Sequence, residues 1–275
     1  MFKIGFIKLG NIASSLVVDL ALDEIAERTE IETKVVSHGP KMSKSEGERL
    51  AEDMRAWGPQ MIVVVSPNAA TPGPTAARNM LKGIPLIVVS DGPTKKESRD
   101  AMEAEGFGYI ILPMDPLIGA KREFLDPAEM AIFNADALKV LSICGAVRLV
   151  QEEIDRAIAS VAAGSPQLPH ILATPELCAE RMDFANPYAR AKAIAALYMA
   201  QTAASIDAQA CFRLKELEAI ALAAAAGHEV IRAAARLADE ARELEKSGDT
   251  VSRKPHARSG DLLVKRRLLE KPAKV

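Results

Sequence analysis

The residues of this chain that can do chemistry stand just past short apolar runs. Ser66, Asn68 and Thr71 follow Met61–Val65 in a loop dense with proline. Asp91 and Gly92 follow Pro85–Val89, and Gly10 and Asn11 follow Phe2–Lys8. His38 and Lys41, past Ile31–Val36, are of a type to meet a phosphate or carboxylate. Beyond Gly108–Leu112 come Asp115, Lys121, Arg122, Glu123 and Asp126. Asp91, Asp115, Glu123 and Asp126 can each orient a ligand amide or stabilise a cation, and Lys121-Arg122 can receive phosphate or carboxylate groups. The spacing defines no carboxylate pair for general acid–base work. His228-Glu229 falls in a helical pattern, where a packed or exposed histidine is commoner than a ligand.

Much chemistry is excluded by what is missing. The chain has no serine nucleophile elbow, no HExxH and no Walker A sequence. A GxGxxG dinucleotide fingerprint needs glycines around Gly10 where Lys8 and Ala13 stand. Cys144, Cys178 and Cys211 are far apart and lack CxxC spacing, so no metal site is expected and a reducing cytoplasm suits them. Net charge is −2 and aromatics make up 4% of the chain, so neither nucleic acid nor an anionic membrane surface is an expected partner. The N-terminus reads as a strand and not as a signal sequence, and no apolar run is long enough to span a bilayer.

The elements that must position these residues follow one pattern. Five apolar runs, Phe2–Lys8, Ile31–Val36, Met61–Val65, Pro85–Val89 and Gly108–Leu112, alternate with amphipathic stretches near 14–28, 45–56, 75–81 and 95–105. Short β-branched strands alternating with helices call for a parallel, doubly wound α/β sheet, and in such sheets ligands bind beyond the carboxyl ends of the strands. The fold class is therefore α/β: a Rossmann-like, mostly parallel sheet, a helix bundle and a small C-terminal extended or sheet segment. Residues 1–125 form the α/β domain, with a sixth strand near 170–173 that can return to it. Residues 126–246 form the bundle, opened by the Asp126-Pro127 cap and rich in alanine after Asn186-Pro187. Residues 247–275 form an extended or hairpin segment rich in Lys and Arg. Alanine-rich helices bury little area each, so part of the bundle is expected to pack against another copy.

Several stretches together resemble one family along almost the whole chain: IKLGNI (Ile7–Ile12), VVDLALDE (Val17–Glu24), SPNAATPGP (Ser66–Pro74), the long block Gly106–Leu141, DFANPYARAKAIAAL (Asp183–Leu197), ADEARELEKS and SRKPHA. They are similar to the coenzyme F420-dependent methylenetetrahydromethanopterin dehydrogenases of methanogenic archaea. The resemblance implies hydride transfer between the methylene bridge of tetrahydromethanopterin, a C1 carrier, and the deazaflavin F420, a dissociable co-substrate. It also implies a homohexamer built as a trimer of dimers, without metal. Combined with strand-end placement, it puts Gly10, Asn11, Ser66, Pro67, Asn68, Asp91 and Gly92 at the coenzyme, and Lys121, Arg122, Glu123 and Asp126 at the pterin. Asp91, Glu123 and Asp126 are the candidate cation stabilisers, and no residue is assigned as acid or base.

Two other readings stay open at the level of sequence. NADP can serve as the hydride carrier, with Ser37, His38 and Lys41 near its adenosine phosphate. Alternatively, the chain is a non-catalytic paralogue that binds a pterin or deazaflavin.

Overall fold

The computed structural model describes residues 1–10, 26–116 and 126–275. The helix expected near 14–28 lies almost wholly outside the described residues. The chain forms two compact units that interleave in sequence. The first comprises Met1–Leu112, Val150–Leu172 and His256–Asp261; the second comprises Pro113–Leu149, Ala173–Pro255 and Leu262–Val275. Of this interleaving the sequence-based boundaries at 125 and 246 anticipate only the returning strand near 170–173, because no change of composition marks Val150 or His256.

The first unit holds a six-stranded sheet, β1 (Phe2–Lys8), β2 (Ile31–Ser37), β3 (Met61–Ser66), β4 (Leu86–Asp91), β5 (Gly108–Leu112) and β6 (His170–Leu172). Its order is β2-β1-β3-β4-β5-β6 and every pairing is parallel. Strands β3, β4 and β5 are buried at every position, which is why their sequences run through consecutive apolar residues instead of alternating, with polar Ser66, Ser90 and Asp91 only at their ends. Edge strand β2 is buried only at Ile31 and Val36 along IETKVVS, its other positions being half-buried or exposed. One face of the sheet, with Ile7, Ile62, Val64, Leu86, Val88 and Ile111, packs against Leu50, Ala51 and Met54 of α1 (Lys44–Trp57) and Ala77 of α2 (Pro72–Met80). Each such aliphatic side chain contributes about 2 kcal/mol by leaving water. Helix α3 (Lys96–Ala104) buries Met102. Helices α1 and α2 approach closely because both carry glycine at the contact: a Cβ on Gly47 would lie 2.1 Å from the Gly73 carbonyl oxygen.

Most element boundaries of the first unit lie within a residue of the sequence reading, and the two larger differences both shorten the rim loops. Helix α2 begins at Pro72 and not at Thr75, since proline in a first turn has its φ preset and loses no hydrogen bond. Strand β4 extends through Ser90 and Asp91, which pair with Ile111 and Leu112, so these polar residues belong to the strand and not to the loop after it.

The second unit is helical. It holds α4 (Pro127–Ile143), the start of α5 (Ala146–Ala162), α6 (Pro175–Glu180), α7 (Pro187–Phe212) and α8 (Leu217–Ser247). Asn186 caps α7 by accepting from the amides of Tyr188 and Ala189, and the Glu245 carboxylate accepts from the amides of Ala185 and Asn186. Buried alanines line both long helices, Ala189, Ala193, Ala196, Ala200 and Ala203 on α7 and Ala224, Ala234, Ala238 and Ala241 on α8. Among them sits an acid: Asp207 is fully buried, and a Cβ on Gly227 of α8 would stand 2.1 Å from its Oδ1. The next residue, His228, stacks on Phe133 at 4.1 Å. The C-terminal segment contains an antiparallel pair, β7 (Leu263–Val264) with β8 (Ala273–Lys274), and an isolated bridge between Arg253 and Lys265. No single described helix is long and apolar enough to cross a membrane.

Candidate active site at the strand ends

In a parallel sheet of this order, chain connections leave β1 and β3 toward opposite edges, and the crevice between their carboxyl ends is the favoured ligand position. Three exit loops meet there. Leu9 continues the pairing by donating its amide to the Val65 carbonyl at 2.9 Å. Gly10 then turns with φ +81°, a conformation that costs glycine little. A Cβ at Gly10 would lie 2.9 Å from Pro67 Cδ and 3.2 Å from Met42 Sδ. Gly10, from the β1 exit, and Pro67, from the β3 exit, therefore form a close, side-chain-poor wall, with Met42 from the β2 exit beside it. Gly10→Ala is expected to raise the KM of whatever flat ligand rests on this wall by roughly tenfold, with kcat changed less, as measured by steady-state kinetics.

The loop from Pro67 to Thr71 is held by its own bonds. The Asn68 side-chain oxygen accepts from the Ala70 amide at 3.0 Å, so half of its polar capacity serves the turn. The Thr71 amide and hydroxyl both donate to the Asn68 carbonyl. Below it runs a chain of hydroxyls. The Ala69 amide donates to Thr94 Oγ1 at 3.1 Å, and Ser90 donates to the Ser66 carbonyl at 2.7 Å. Since the single Ser90 proton is thereby used, the 2.9 Å contact between the two hydroxyls requires Thr94 to donate to Ser90. Arg78 of α2 closes the loop, donating to the Ala69 carbonyl at 2.7 Å and to Thr75 Oγ1 at 3.4 Å.

Six expected coenzyme residues, Gly10, Ser66, Pro67, Asn68, Asp91 and Gly92, thus lie in the first unit at the strand ends. Ser66 and Asp91 are fully buried, as is Ser90, while Gly92 is exposed. The Ser66 hydroxyl is a buried polar atom without a partner among the described residues. Asn11, Lys121, Arg122 and Glu123 lie outside the described residues. Asp126 belongs to the second unit, where it is exposed and caps α4 by accepting the Glu129 amide at 2.8 Å. Asp115, three residues past β5, is fully buried.

The β2 exit carries different chemistry. The Ser43 hydroxyl caps α1 by accepting the Glu46 amide at 3.3 Å. The buried Glu46 carboxylate accepts from His38 Nδ1 and, at 2.8 Å, from Arg49. The place proposed for an adenosine phosphate therefore holds a carboxylate, which repels a phosphate and already engages His38.

Sequence reasoning missed Ser90, Thr94, Arg78 and Met42 as parts of this site. Each acts on a neighbouring loop and carries no local motif. Ser90 and Thr94 could have been flagged only as polar residues interrupting an apolar run at a strand end.

The strand ends thus bring together a close Gly10–Pro67 contact and the buried Ser66 hydroxyl, which has no protein partner among the described residues. Among the described residues, no group of His, Cys, Asp and Glu side chains could hold a metal ion.

Comparison with known proteins places these features in a family. The family model described as methylene-5,6,7,8-tetrahydromethanopterin dehydrogenase matches residues 2–273. The chain is 58% identical to the F420-dependent methylenetetrahydromethanopterin dehydrogenase of Methanosarcina mazei and 59% identical to that of Methanosarcina acetivorans, in each case over 99% of both chains. A solved structure of an F420-dependent methylene-tetrahydromethanopterin dehydrogenase, in complex with methylene-tetrahydromethanopterin and coenzyme F420, superposes with a TM-score of 0.94 at 41% identity. That likeness covers 99% of this chain and 100% of the other.

Proposed function

This chain belongs to the methylenetetrahydromethanopterin dehydrogenase family, and from that premise we propose that it transfers a hydride between methylene-tetrahydromethanopterin and coenzyme F420. The family match over nearly the whole chain carries the reading. When bound, the deazaflavin supplies the carbon that accepts or returns the hydride, and the pterin carrier supplies the methylene group.

The protein's own contribution is placement. Direct transfer between two rings needs their reacting atoms close and aligned, and correct placement alone is worth roughly 7–11 kcal/mol in favourable models. The Gly10–Pro67 wall supplies a flat, rigid face, and the Thr94–Ser90 chain fixes the loop that bears Pro67 and Asn68. The oxidised carrier is a delocalised cation, so no general base is required, and a carboxylate nearby stabilises the charge as it develops. We assign that task to Asp91, which is buried at the end of β4. Asp126 is a helix cap by its contacts, which leaves a cation-stabilising role for it supported by sequence position alone. Lys121, Arg122 and Glu123 remain the proposed pterin-side residues, and Asn11 remains a proposed coenzyme contact.

F420 is the proposed carrier and NADP is not, in keeping with the Glu46 carboxylate at the β2 exit. The proposed assembly is a homo-oligomer, a hexamer as in the resembled family. Tyr188, Phe212, Leu217 and Leu222 support this, being large apolar side chains exposed on α7 and α8. The proposed location is the cytoplasm. Mixing the purified protein with methylene-tetrahydromethanopterin and oxidised F420 is expected to bleach the deazaflavin absorbance, with no reduction of NADP in its place. Absence of bleaching while both compounds bind would favour a non-catalytic paralogue and overturn the assignment.

A further inference from the structure

Arg78 is 7% exposed, yet none of its partners among the described residues is a carboxylate. Its terminal nitrogens donate to the Ala69 carbonyl at 2.7 Å and the Thr75 hydroxyl at 3.4 Å, while Nε meets no acceptor among the described residues. Glu105 acts on it only at a distance, and that carboxylate is paired with Lys82 at 3.5 Å. Arg78 forms no ion pair among the described residues. Burying a guanidinium against neutral acceptors is costly, and a buried arginine stays charged. An apolar side chain of similar length would fill the same space at lower cost, so packing alone does not account for the arginine.

Its place suggests what the charge does. Ala69 is the pivot of the loop after β3: Thr94 fixes its amide and Arg78 fixes its carbonyl. Pro67 and Asn68 immediately precede it in the chain. We propose that Arg78 is a positioning residue of the coenzyme site, which sets the Pro67–Asn68 wall through the Ala69 carbonyl and lends its unneutralised charge to the binding of an anionic coenzyme. This inference rests on the assignment of the strand-end site to F420. A charge at this depth acts across low-dielectric protein and is screened less than a surface lysine.

The test compares wild type, Arg78→Met and Arg78→Lys in four measurements. These are the dissociation constant of F420 from quenching of its fluorescence, the KM of each substrate, the melting temperature, and recovery on adding millimolar guanidinium chloride. Arg78→Met is expected to weaken F420 binding about tenfold or more while the KM of the methylene carrier stays within about twofold. Added guanidinium is expected to restore part of the lost affinity, and Arg78→Lys to retain part of it with steeper salt dependence. An F420 affinity within about twofold of wild type in both variants overturns the proposal. So does a parallel loss in both substrates with a lowered melting temperature and no guanidinium rescue, which would mean a structural role only. Failure of the wild type itself to bind F420 would overturn the coenzyme assignment, an outcome visible before any variant is examined.

Discussion

Asp91→Asn is expected to lower kcat by about a hundredfold while the melting temperature moves by only a few degrees. The change keeps shape and volume and removes only the charge. Asp91 is the last residue of β4, pairs in register with Leu112 and has 0% exposure, so its surroundings are poorly polarisable. In such surroundings a carboxylate interacts far more strongly with a developing cation than it would in water. Because that cation forms only as the hydride leaves, the loss should fall on kcat more than on KM. Stopped-flow measurement of single turnovers would separate this from slow product release. A rate constant within about threefold of wild type would remove Asp91 from the chemistry and leave it as a buried strand terminus.

The second large effect lies in the helical unit and concerns stability. Burial pushes the Asp207 carboxyl up to about 8, far above the usual carboxylate range. The native state therefore holds a proton there that the unfolded chain releases near pH 4, so Asp207 makes stability fall as pH rises from about 4 to about 8. His228, one residue from the glycine that faces Asp207, works the other way. Burial, with the nearby Arg232 second to it and Glu229 opposing, holds its imidazole down at about 4, so it makes stability rise between about pH 4 and 6.5. The two effects oppose one another below about pH 6.5, and Asp207 acts alone above it. Wild-type protein should thus lose about 2 kcal/mol of unfolding free energy between pH 6.5 and 8. Asp207→Asn should abolish that fall and uncover the rise due to His228, and its gain over wild type above pH 8 is on the order of 5 kcal/mol. Urea denaturation at several pH values measures this directly. Parallel curves for the two proteins would show that Asp207 ionises in the folded state as it does in the unfolded one.

The legibility of the fold followed from burial. Strands β3, β4 and β5 are buried at every position, and Met61–Val65, Leu86–Val89 and Ile110–Leu112 within them hold only Val, Ile, Leu and Met. The Asp126 cap of α4, the Asn186 cap of α7 and the break at Gly145 are chemical signals with local causes, and the structure bears out each of them. Boundaries were less legible where residues serve two purposes. Pro72 ends one loop and begins a helix, and Ser90 and Asp91 are polar yet paired within a strand. The rim itself was legible as a set of strand ends, but the contacts that organise it were not. Nothing near Thr94 announces that its hydroxyl will meet an amide 25 residues earlier. Nor does anything near Arg78 announce a carbonyl on the loop before it, or near Gly227 an acid on another helix. Such pairings depend on register between elements, and a single chain encodes register only through the finished packing.

The chain from the Ala69 amide through the Thr94 and Ser90 hydroxyls to the Ser66 carbonyl has a polarity: each donor gives its proton to the next oxygen, and neither hydroxyl has a second to give. It joins the exits of β3 and β4 into a single inherited unit. A related protein that changes Ser90 or Thr94 should change the other with it, since a half-altered chain leaves a buried donor or acceptor without a partner. For the same reason, transplanting the Pro67–Thr71 loop into another parallel sheet would carry its shape across only if the donor's β4 exit travelled with it. The smallest portable piece of this site is therefore a pair of strand ends and not a loop.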